Sequence, residues 1–186
     1  MKRTIDIAIS AIALVVFAPL MLVVALLVRA TSPGPALYWS QRFGAGGALF
    51  AMPKFRTMRV DAPQLPTHLL TNSQDLLTPI GSFLRHSSLD ELPQLWSVLT
   101  GHMSLVGPRP ALFNQADLMA MRRATGSHAL TPGITGWAQI NGRDELSLDE
   151  KVALDAEYSR AQSLAFDCRI LLLTLARVLR ARSIAH

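Results

Sequence analysis

The chain has 186 residues; half of them are hydrophobic and only 17% are charged, against about 25% in ordinary soluble domains. A net charge of +5 and a pI near 10.1 favour anionic partners such as nucleotides, phosphates or acidic lipid headgroups. The single cysteine, Cys168, excludes an intramolecular disulfide and a metal site built from several cysteines.

The amino-terminal segment carries the pattern of a membrane anchor. The run from Ile7 to Val28 is uncharged, and it is long enough for a bilayer, which needs about 20 apolar residues. Pro19, near its middle, removes a backbone hydrogen bond and bends a helix, while Lys2 and Arg29 flank the run on both sides. We therefore expect residues 1–30 to form a re-entrant helix that enters and leaves on one face. A straight span and a cleaved signal peptide are the alternatives.

A β-hairpin is predicted after the Pro- and Gly-rich stop at residues 31–35. Leu37 to Arg42 reads as one strand and Ala48 to Met58 as its partner, with a glycine-rich turn between them. Strand alternation places Lys54 and Arg56 on one face. Two cations there can grip a phosphate, or they can form an ordinary solvated face.

The chain then alternates loops with short helices. The predicted bounds are a loop at 61–79, helices at 80–86 and 92–99, a compact loop at 101–110, and helices at 112–124, 147–162 and 164–182. In the helix at 92–99, the predicted apolar face is Leu92, Leu95, Trp96 and Leu99. In the last helix, it is Leu164, Leu171, Leu175, Val178 and Leu179, opposite a basic face. That helix fits either a membrane interface or a packed core.

Two adjacent carboxylates, Asp90 and Glu91, stand between Arg85 and Arg109 in a region rich in Gly, Pro and Arg. Ser88 and Glu91 also have the spacing of a capping box, in which both side chains satisfy free N–H groups at a helix start. Capping explains Glu91 better than Asp90, so Asp90 is the stronger candidate for chemistry.

The motifs of several common enzyme classes are missing from the sequence. It contains no phosphate-binding Walker loop, no Gly-x-Ser-x-Gly elbow and no His-x-x-His pair. Carboxylates and guanidinium groups remain for catalysis. An aspartate can attack phosphorus to form an acyl-phosphate, with arginines and a divalent metal neutralising the transferring group.

Six segments in order then carry a family resemblance: Lys2-Arg-x-x-Asp6, Gln41-Arg-x-Gly44, Lys54-Phe-Arg-Thr-Met58, Ser88-Leu-Asp-Glu-Leu-Pro-Gln-Leu95, Leu105-Val-Gly-Pro-Arg-Pro110 and Pro132-Gly-Ile-Thr-Gly-Trp-Ala-Gln-Ile-Asn-Gly-Arg143. Together they resemble the bacterial sugar transferases, the monotopic polyprenyl-phosphate phosphoglycosyl transferases. The resemblance covers essentially the whole chain.

The resemblance implies an α+β, mostly helical fold with the re-entrant helix, the β-hairpin and several short or amphipathic helices at the membrane interface. Residues 1–30 would be the anchor, and residues 31–186 a cytoplasmic catalytic domain ending in an interfacial amphipathic helix. The expected location is the bacterial cytoplasmic (inner) membrane, with the catalytic domain facing the cytoplasm. A homo-oligomer is compatible with the sequence.

The implied reaction moves a sugar 1-phosphate from a UDP-sugar to undecaprenyl phosphate and releases UMP, as the first membrane step of a surface glycan. That glycan could be an exopolysaccharide, O-antigen, capsule or glycoprotein glycan. By the family pattern, Asp90 is the nucleophile, Glu91 assists it, and Mg²⁺ binds at this pair. The residues expected to bind substrate phosphate are Arg85, Arg109, Lys54 and Arg56, and those expected at the nucleotide are Gly142 and Arg143.

Two departures from the family pattern stand out. Ala18 precedes Pro19 where a serine is common, and Asp144 follows Gly142-Arg143 where an asparagine is common. Three other functions compete: a non-catalytic membrane scaffold of the same fold, a basic nucleic-acid-binding protein, and a glycosyl transferase that moves the sugar without its phosphate. No nucleic-acid-binding motif is present, so we expect no nucleic-acid partner. Release of UMP rather than UDP would separate the two transferase chemistries.

Overall fold

A computed structural model of the chain describes residues 1–63, 74–142 and 145–183, with side chains of the last helix described through residue 177. The fold is α+β, as predicted. In chain order its elements are α1 (Lys2–Thr31), β1 (Leu37–Phe43), β2 (Leu49–Phe55), α2 (Gly81–His86), α3 (Gln94–Thr100), β3 (Ser104–Val106), α4 (Ala116–Thr125), β4 (Gly133–Thr135), α5 (Trp137–Ile140), α6 (Leu148–Ala161) and α7 (Leu164–Ser183).

Helix α1 is long and apolar enough to cross a membrane, and it is the one such helix among the described residues. It continues through Pro19 as a single element. Asp6, near its start, and Val24 and Val28, near its end, are buried against the rest of the protein. Residues 15–20, in the middle, are exposed. Both ends of the apolar helix therefore pack on the same body, and its centre does not.

Polar residues fasten the start of α1 to the protein interior. Asp6 accepts hydrogen bonds from Ser104 Oγ at 2.8 Å and from the Leu105 backbone N–H at 3.2 Å. Lys2 Nζ donates to the Val106 carbonyl at 3.0 Å and pairs with an Asp167 carboxylate oxygen at 2.6 Å. These contacts connect α1 with β3 and α7.

The predicted hairpin is confirmed. Strands β1 and β2 pair antiparallel, in a register that sets Leu37 opposite Phe55 and Phe43 opposite Leu49. Gly46 and Gly47 adopt φ angles of 67° and 85° in the connecting turn, a left-handed conformation that residues with a Cβ rarely take. Strand β2 ends at Phe55, earlier than the predicted Met58.

A second small sheet was missed. The segment 101–110, predicted to be entirely loop, contains β3, which pairs in parallel with β4. A Cβ at Gly133 would lie 2.1 Å from the Gly107 nitrogen, so glycine is needed for this approach. The prediction was wrong because three residues are too few to show strand alternation, and their partner is distant in sequence.

The two predicted helix faces were partly wrong. Trp96 is 54% exposed, whereas Val98 is fully buried, so the buried face of α3 carries Leu95 and Val98 and not Trp96. In α7, Leu175 is 56% exposed while Asp167 and Ile170 are buried. The largest core cluster is Phe50, Met52, Leu95, Val98, Met103, Leu105, Val106, Ile140, Tyr158 and Ile170.

Candidate active site

The adjacent carboxylates lie in a tight turn between α2 and α3. Residues Leu89–Glu91 form one 3₁₀ turn, and Ser88 before it has a left-handed backbone with φ 56°. The predicted capping box at Ser88 and Glu91 is wrong: the Ser88 side chain caps nothing here, and the Glu91 N–H instead donates to the Ser88 carbonyl at 3.2 Å. The left-handed turn directs the Glu91 carboxylate away from a capping position. The capping box at Ser147 and Glu150, in contrast, is fully formed.

Glu91 joins the hairpin to the loop that follows β3. Its Oε1 accepts hydrogen bonds from Lys54 Nζ at 2.8 Å and from Arg109 Nη2 at 3.1 Å. Burial lowers the pKa of Lys54, and the charge of Arg109 lowers it further, while Glu91 opposes both effects. Glu91 therefore holds two cations at the mouth of the site.

Asp90 is buried, with 7% of the residue exposed. Within the described parts of the chain, no residue donates a hydrogen bond to its carboxylate. Burial raises the pKa of Asp90, and the charge of Glu91 raises it further, whereas Lys54, Arg85 and Arg109 act in the opposite direction. Asp90 is therefore a desolvated carboxylate surrounded by cations.

In the structure, Arg85 lies at the site, whereas the guanidinium of Arg56 is bonded to residues at the end of α1 and before β1. Arg85 Nε donates to Thr57 Oγ1 at 3.0 Å, and Arg85 lines the same cavity as Asp90. All three nitrogens of Arg56 are engaged: Nε donates to the Pro35 carbonyl at 2.8 Å, and the other two donate to Ser32 at 2.8 and 2.9 Å. These bonds place Arg56 at the junction of α1 and β1, and its contact with phosphate stays a prediction.

An open cavity of about 850 Å³ lies in front of the carboxylate pair. Among its described lining residues, cations outnumber acids: Arg42, Lys54, Arg56, Arg59, Arg85, Arg109, Arg122 and Lys151 against Asp90 and Glu91. The lining also includes the apolar residues Pro35, Leu37 and Val60, of which Leu37 packs with Val24 and Val28 of α1, and the polar residues Gln115 and Gln139. A cationic cavity whose lining includes apolar residues suits a diphosphate and a lipid.

The nucleotide prediction falls partly outside the described residues. Arg143 and Asp144 lie there, so nothing tests their roles. Gly142 follows α5 with a φ of 152°, where a Cβ would lie 2.8 Å from the Leu146 side chain. Gln139 of α5 lines the cavity, so the chain leads from the cavity wall directly into this segment.

Two arginines at the site were not assigned a role from sequence. Arg42 belongs to the Gln41-Arg-x-Gly44 motif, and Arg122 lies in the predicted helix at 112–124. Both donate to backbone carbonyls of the loop that carries Arg109: Arg42 to Pro110 and Arg122 to Arg109, at 3.0 Å each. The motif could have drawn attention to Arg42, whereas no local pattern marks Arg122.

Two adjacent carboxylates offer the oxygen ligands that Mg²⁺ prefers, and a metal ion at this pair stays a prediction. The described residues contain no group of three or more His, Cys, Asp and Glu side chains that could hold a metal ion. Mg²⁺ commonly binds through one or two carboxylates and substrate phosphates, with water completing the shell. Asp90 and Glu91 would be the two carboxylates in such a site.

The chain is similar to known proteins along nearly its whole length. The bacterial sugar transferase family matches residues 1–181. The chain is 44% identical over 182 residues to a UDP-glucose:undecaprenyl-phosphate glucose-1-phosphate transferase of Xanthomonas campestris pv. campestris, covering 94% of this chain and 38% of that protein. It is 39% identical over 187 residues to a protein of the same name from Caulobacter vibrioides, covering 96% and 69%.

A further relative is named for galactose, whereas the two relatives above are named for glucose. The chain is 41% identical over 160 residues to a galactosyl transferase of Streptococcus agalactiae, covering 78% of this chain and 35% of that protein. The chain thus spans less than two fifths of the Xanthomonas and Streptococcus relatives and about two thirds of the Caulobacter one. Since the family match covers nearly every residue, the chain belongs to the bacterial sugar transferase family.

Proposed function

We propose that the protein transfers a sugar 1-phosphate from a UDP-sugar to undecaprenyl phosphate and releases UMP. The observation that carries this proposal is Asp90, a buried carboxylate in a cationic cavity whose lining includes Leu37, which packs against the membrane-type helix α1. Several relatives are named for this reaction with glucose 1-phosphate.

The proposed chemistry takes place in two displacements at phosphorus. An Asp90 carboxylate oxygen attacks the β-phosphorus of the UDP-sugar, and the bond between that phosphorus and the bridging oxygen breaks. UMP departs with the electron pair and leaves an aspartyl-phosphosugar. A phosphate oxygen of undecaprenyl phosphate then attacks the same phosphorus, which restores the Asp90 carboxylate and yields the lipid diphosphosugar.

The neighbouring residues position and neutralise the transferring group. Arg85 and Arg109 line the cavity near Asp90, and both act on its pKa. Guanidinium groups match phosphate oxygens with two parallel donors. Glu91 keeps Lys54 and Arg109 in place through its shared oxygen, which is how we propose that it assists Asp90.

We propose that Asp90 and Glu91 hold Mg²⁺ together with the diphosphate. When bound, the ion supplies positive charge that offsets the charge developing on the phosphate oxygens. The carboxylates in turn orient the donor so that its β-phosphorus faces Asp90.

We also propose that α1 is re-entrant, with both ends on the cytoplasmic side. The support is that Asp6 and Val28, at opposite ends, are both buried against the domain that carries Asp90. A straight 30-residue helix would reach about 45 Å at 1.5 Å per residue, which would place those ends on opposite faces. Exposed apolar residues Phe83, Trp96, Leu172 and Leu175 would add contacts with the membrane surface.

The decisive experiment offers purified protein in lipid nanodiscs a panel of UDP-sugars with undecaprenyl phosphate and measures released UMP. UDP-glucose and UDP-galactose come first because the relatives' names point to them. Intact-mass spectrometry with donor alone should detect the phosphosugar adduct. Release of UDP would instead indicate a glycosyl transferase, and a folded protein inactive with every donor would favour the scaffold.

A further inference from the structure

The loop that presents Arg109 is hydrogen-bonded at four consecutive carbonyls. The acceptors and donors are Pro108 O with Gly133 N at 2.9 Å, Arg109 O with Arg122 Nη1 at 3.0 Å, Pro110 O with Arg42 Nη1 at 3.0 Å, and Ala111 O with Phe43 N at 2.9 Å. Pro108 and Pro110 have no N–H, so this segment cannot pair as a regular strand. Guanidinium groups supply the two central bonds instead.

Arg122 is shared between the loop and a buried carboxylate. Its Nε and Nη2 donate to one Asp155 oxygen at 2.9 and 2.7 Å, while Nη1 reaches the Arg109 carbonyl. Both side chains are at most 7% exposed. Asp155 on α6 therefore fixes the orientation of Arg122 on α4, and Arg122 fixes the backbone of Arg109.

Arg42 reaches the same loop from the hairpin. Its Nε donates to Ser40 Oγ at 2.9 Å, and its Nη1 donates to the Pro110 carbonyl. Burial and the nearby charge of Arg109 lower the pKa of Arg42 to about 10, so it stays a cation at neutral pH. A half-buried cation beside another cation is unfavourable, and an uncharged donor could have satisfied the same carbonyl.

We propose that Arg42 and Arg122 are positioning residues that fix the backbone of Arg109, and that Asp155 acts through Arg122. This inference rests on the proposed function, in which Arg109 binds the transferring phosphate. Phosphoryl transfer depends strongly on placement, and a displacement of about 1 Å can cost roughly a hundredfold in rate. Two rigid forks on adjacent carbonyls restrict both translation and rotation of the Arg109 residue.

The test is a pair of double-mutant cycles with Arg109. Arg122→Lys and Arg42→Lys keep a positive charge, so Asp155 retains a charged neighbour. A lysine, however, lacks the rigid planar fork whose separate nitrogens reach the two acceptors from different positions. Each substitution is made in the wild-type chain and in Arg109→Ala. Single-turnover UMP release with enzyme in excess of UDP-glucose, or of the panel's best donor, measures even slow variants. Arg123→Lys, an exposed neighbour on α4, is the matched control.

We expect each lysine variant to lower the transfer rate at least fivefold in the wild-type chain, with donor KM changed less than twofold. In the Arg109→Ala background, the same substitutions should change the rate less than twofold, since there is no guanidinium left to position. Thermal melting identifies variants that fail to fold. If Arg122→Lys is one of them, Asp155→Asn takes its place in the cycle.

Two results would overturn the inference: an equal loss in both backgrounds, or no loss in the wild-type chain. Failure of the proposed function gives a different result. In that case the wild-type protein releases no UMP from any donor, or Arg109→Ala itself transfers at the wild-type rate.

Discussion

Lys54 Nζ donates to Glu91 Oε1 at 2.8 Å, and no described residue forms such a bond with Asp90, the adjacent carboxylate. Two neighbouring acids thus have different surroundings. Glu91 is paired with two cations, whereas Asp90 is buried and available to the cavity. This difference supports our proposal that Asp90 attacks phosphorus and that Glu91 organises the cations.

We expect Asp90→Asn to abolish UMP release and the covalent adduct while the protein stays folded and membrane-bound. An amide has nearly the same shape as the carboxylate but is a poor nucleophile toward phosphorus. Glu91→Gln should still form the adduct, at a reduced rate. Turnover near the wild-type level in Asp90→Asn, with deamidation excluded by mass spectrometry, would disprove the assignment.

The Asp90→Asn variant should be more stable than the wild type at neutral pH. Burial raises the pKa of Asp90 above its ordinary value, so the folded state binds a proton more readily than the unfolded state, and ionisation at neutral pH costs stability. Asn removes that cost. We expect a higher melting temperature at pH 7.5 and a shrinking difference as the pH falls toward about 3.9, the ordinary Asp value. Exposed Asp75→Asn is the control, and a lower melting temperature for Asp90→Asn at pH 7.5 would contradict the expectation.

Activity should require Mg²⁺ or a similar hard cation. Two carboxylates and a diphosphate together offer the oxygen ligands that hard cations prefer. Excess EDTA should stop UMP release, and added Mg²⁺ should restore it. Full activity in EDTA would remove the metal from the proposal.

Arg109→Lys should lower turnover by at least about tenfold, which corresponds to roughly 1.4 kcal/mol of transition-state stabilisation. Arg109 donates to Glu91 at 3.1 Å from a stiff loop between two prolines, and a lysine lacks the planar fork that binds phosphate with two donors. Steady-state UMP release at saturating donor measures the effect. A change of less than twofold would return Arg109 to a structural role.

The membrane topology of α1 can be tested by labelling both of its ends. Single cysteines near positions 2 and 32, in a Cys168→Ser background, should react in intact cells only with reagents that reach the cytoplasm. The reason is that a straight span would carry Lys2, Arg3 and Asp6 across the bilayer at substantial cost, and Lys2 and Asp6 already bond to β3. Labelling near position 2 by an impermeant external reagent would disprove the re-entrant arrangement. Pro19→Leu tests whether the re-entrant arrangement needs the proline, because the substitution should favour a straighter helix.

Local sequence patterns were informative where the determining interactions are local. The apolar run predicted α1, the glycine-rich turn between two strands predicted the hairpin, and Ser147 with Glu150 predicted a helix start. The same capping pattern failed at Ser88, where the backbone is left-handed and the Glu91 carboxylate instead accepts hydrogen bonds from Lys54 and Arg109, which are distant in sequence. Strand β3 was missed because its partner β4 lies elsewhere in the sequence.

The sequence by itself determined the residue types of this site, because Asp90, Glu91, Arg85 and Arg109 lie in short segments that carry the family's motifs. It also predicted the long apolar helix α1, because an uncharged run of that length favours a helix of membrane type. Only the tertiary structure decided which carboxylate is paired, that Arg56 is bound to the end of α1, and that Arg42 and Arg122 hold the Arg109 loop. Those outcomes depend on contacts between residues as far apart as Lys54 and Glu91, separated by 37 positions. Such contacts form only when folding brings the segments together, and burial then makes each pairing strong enough to matter.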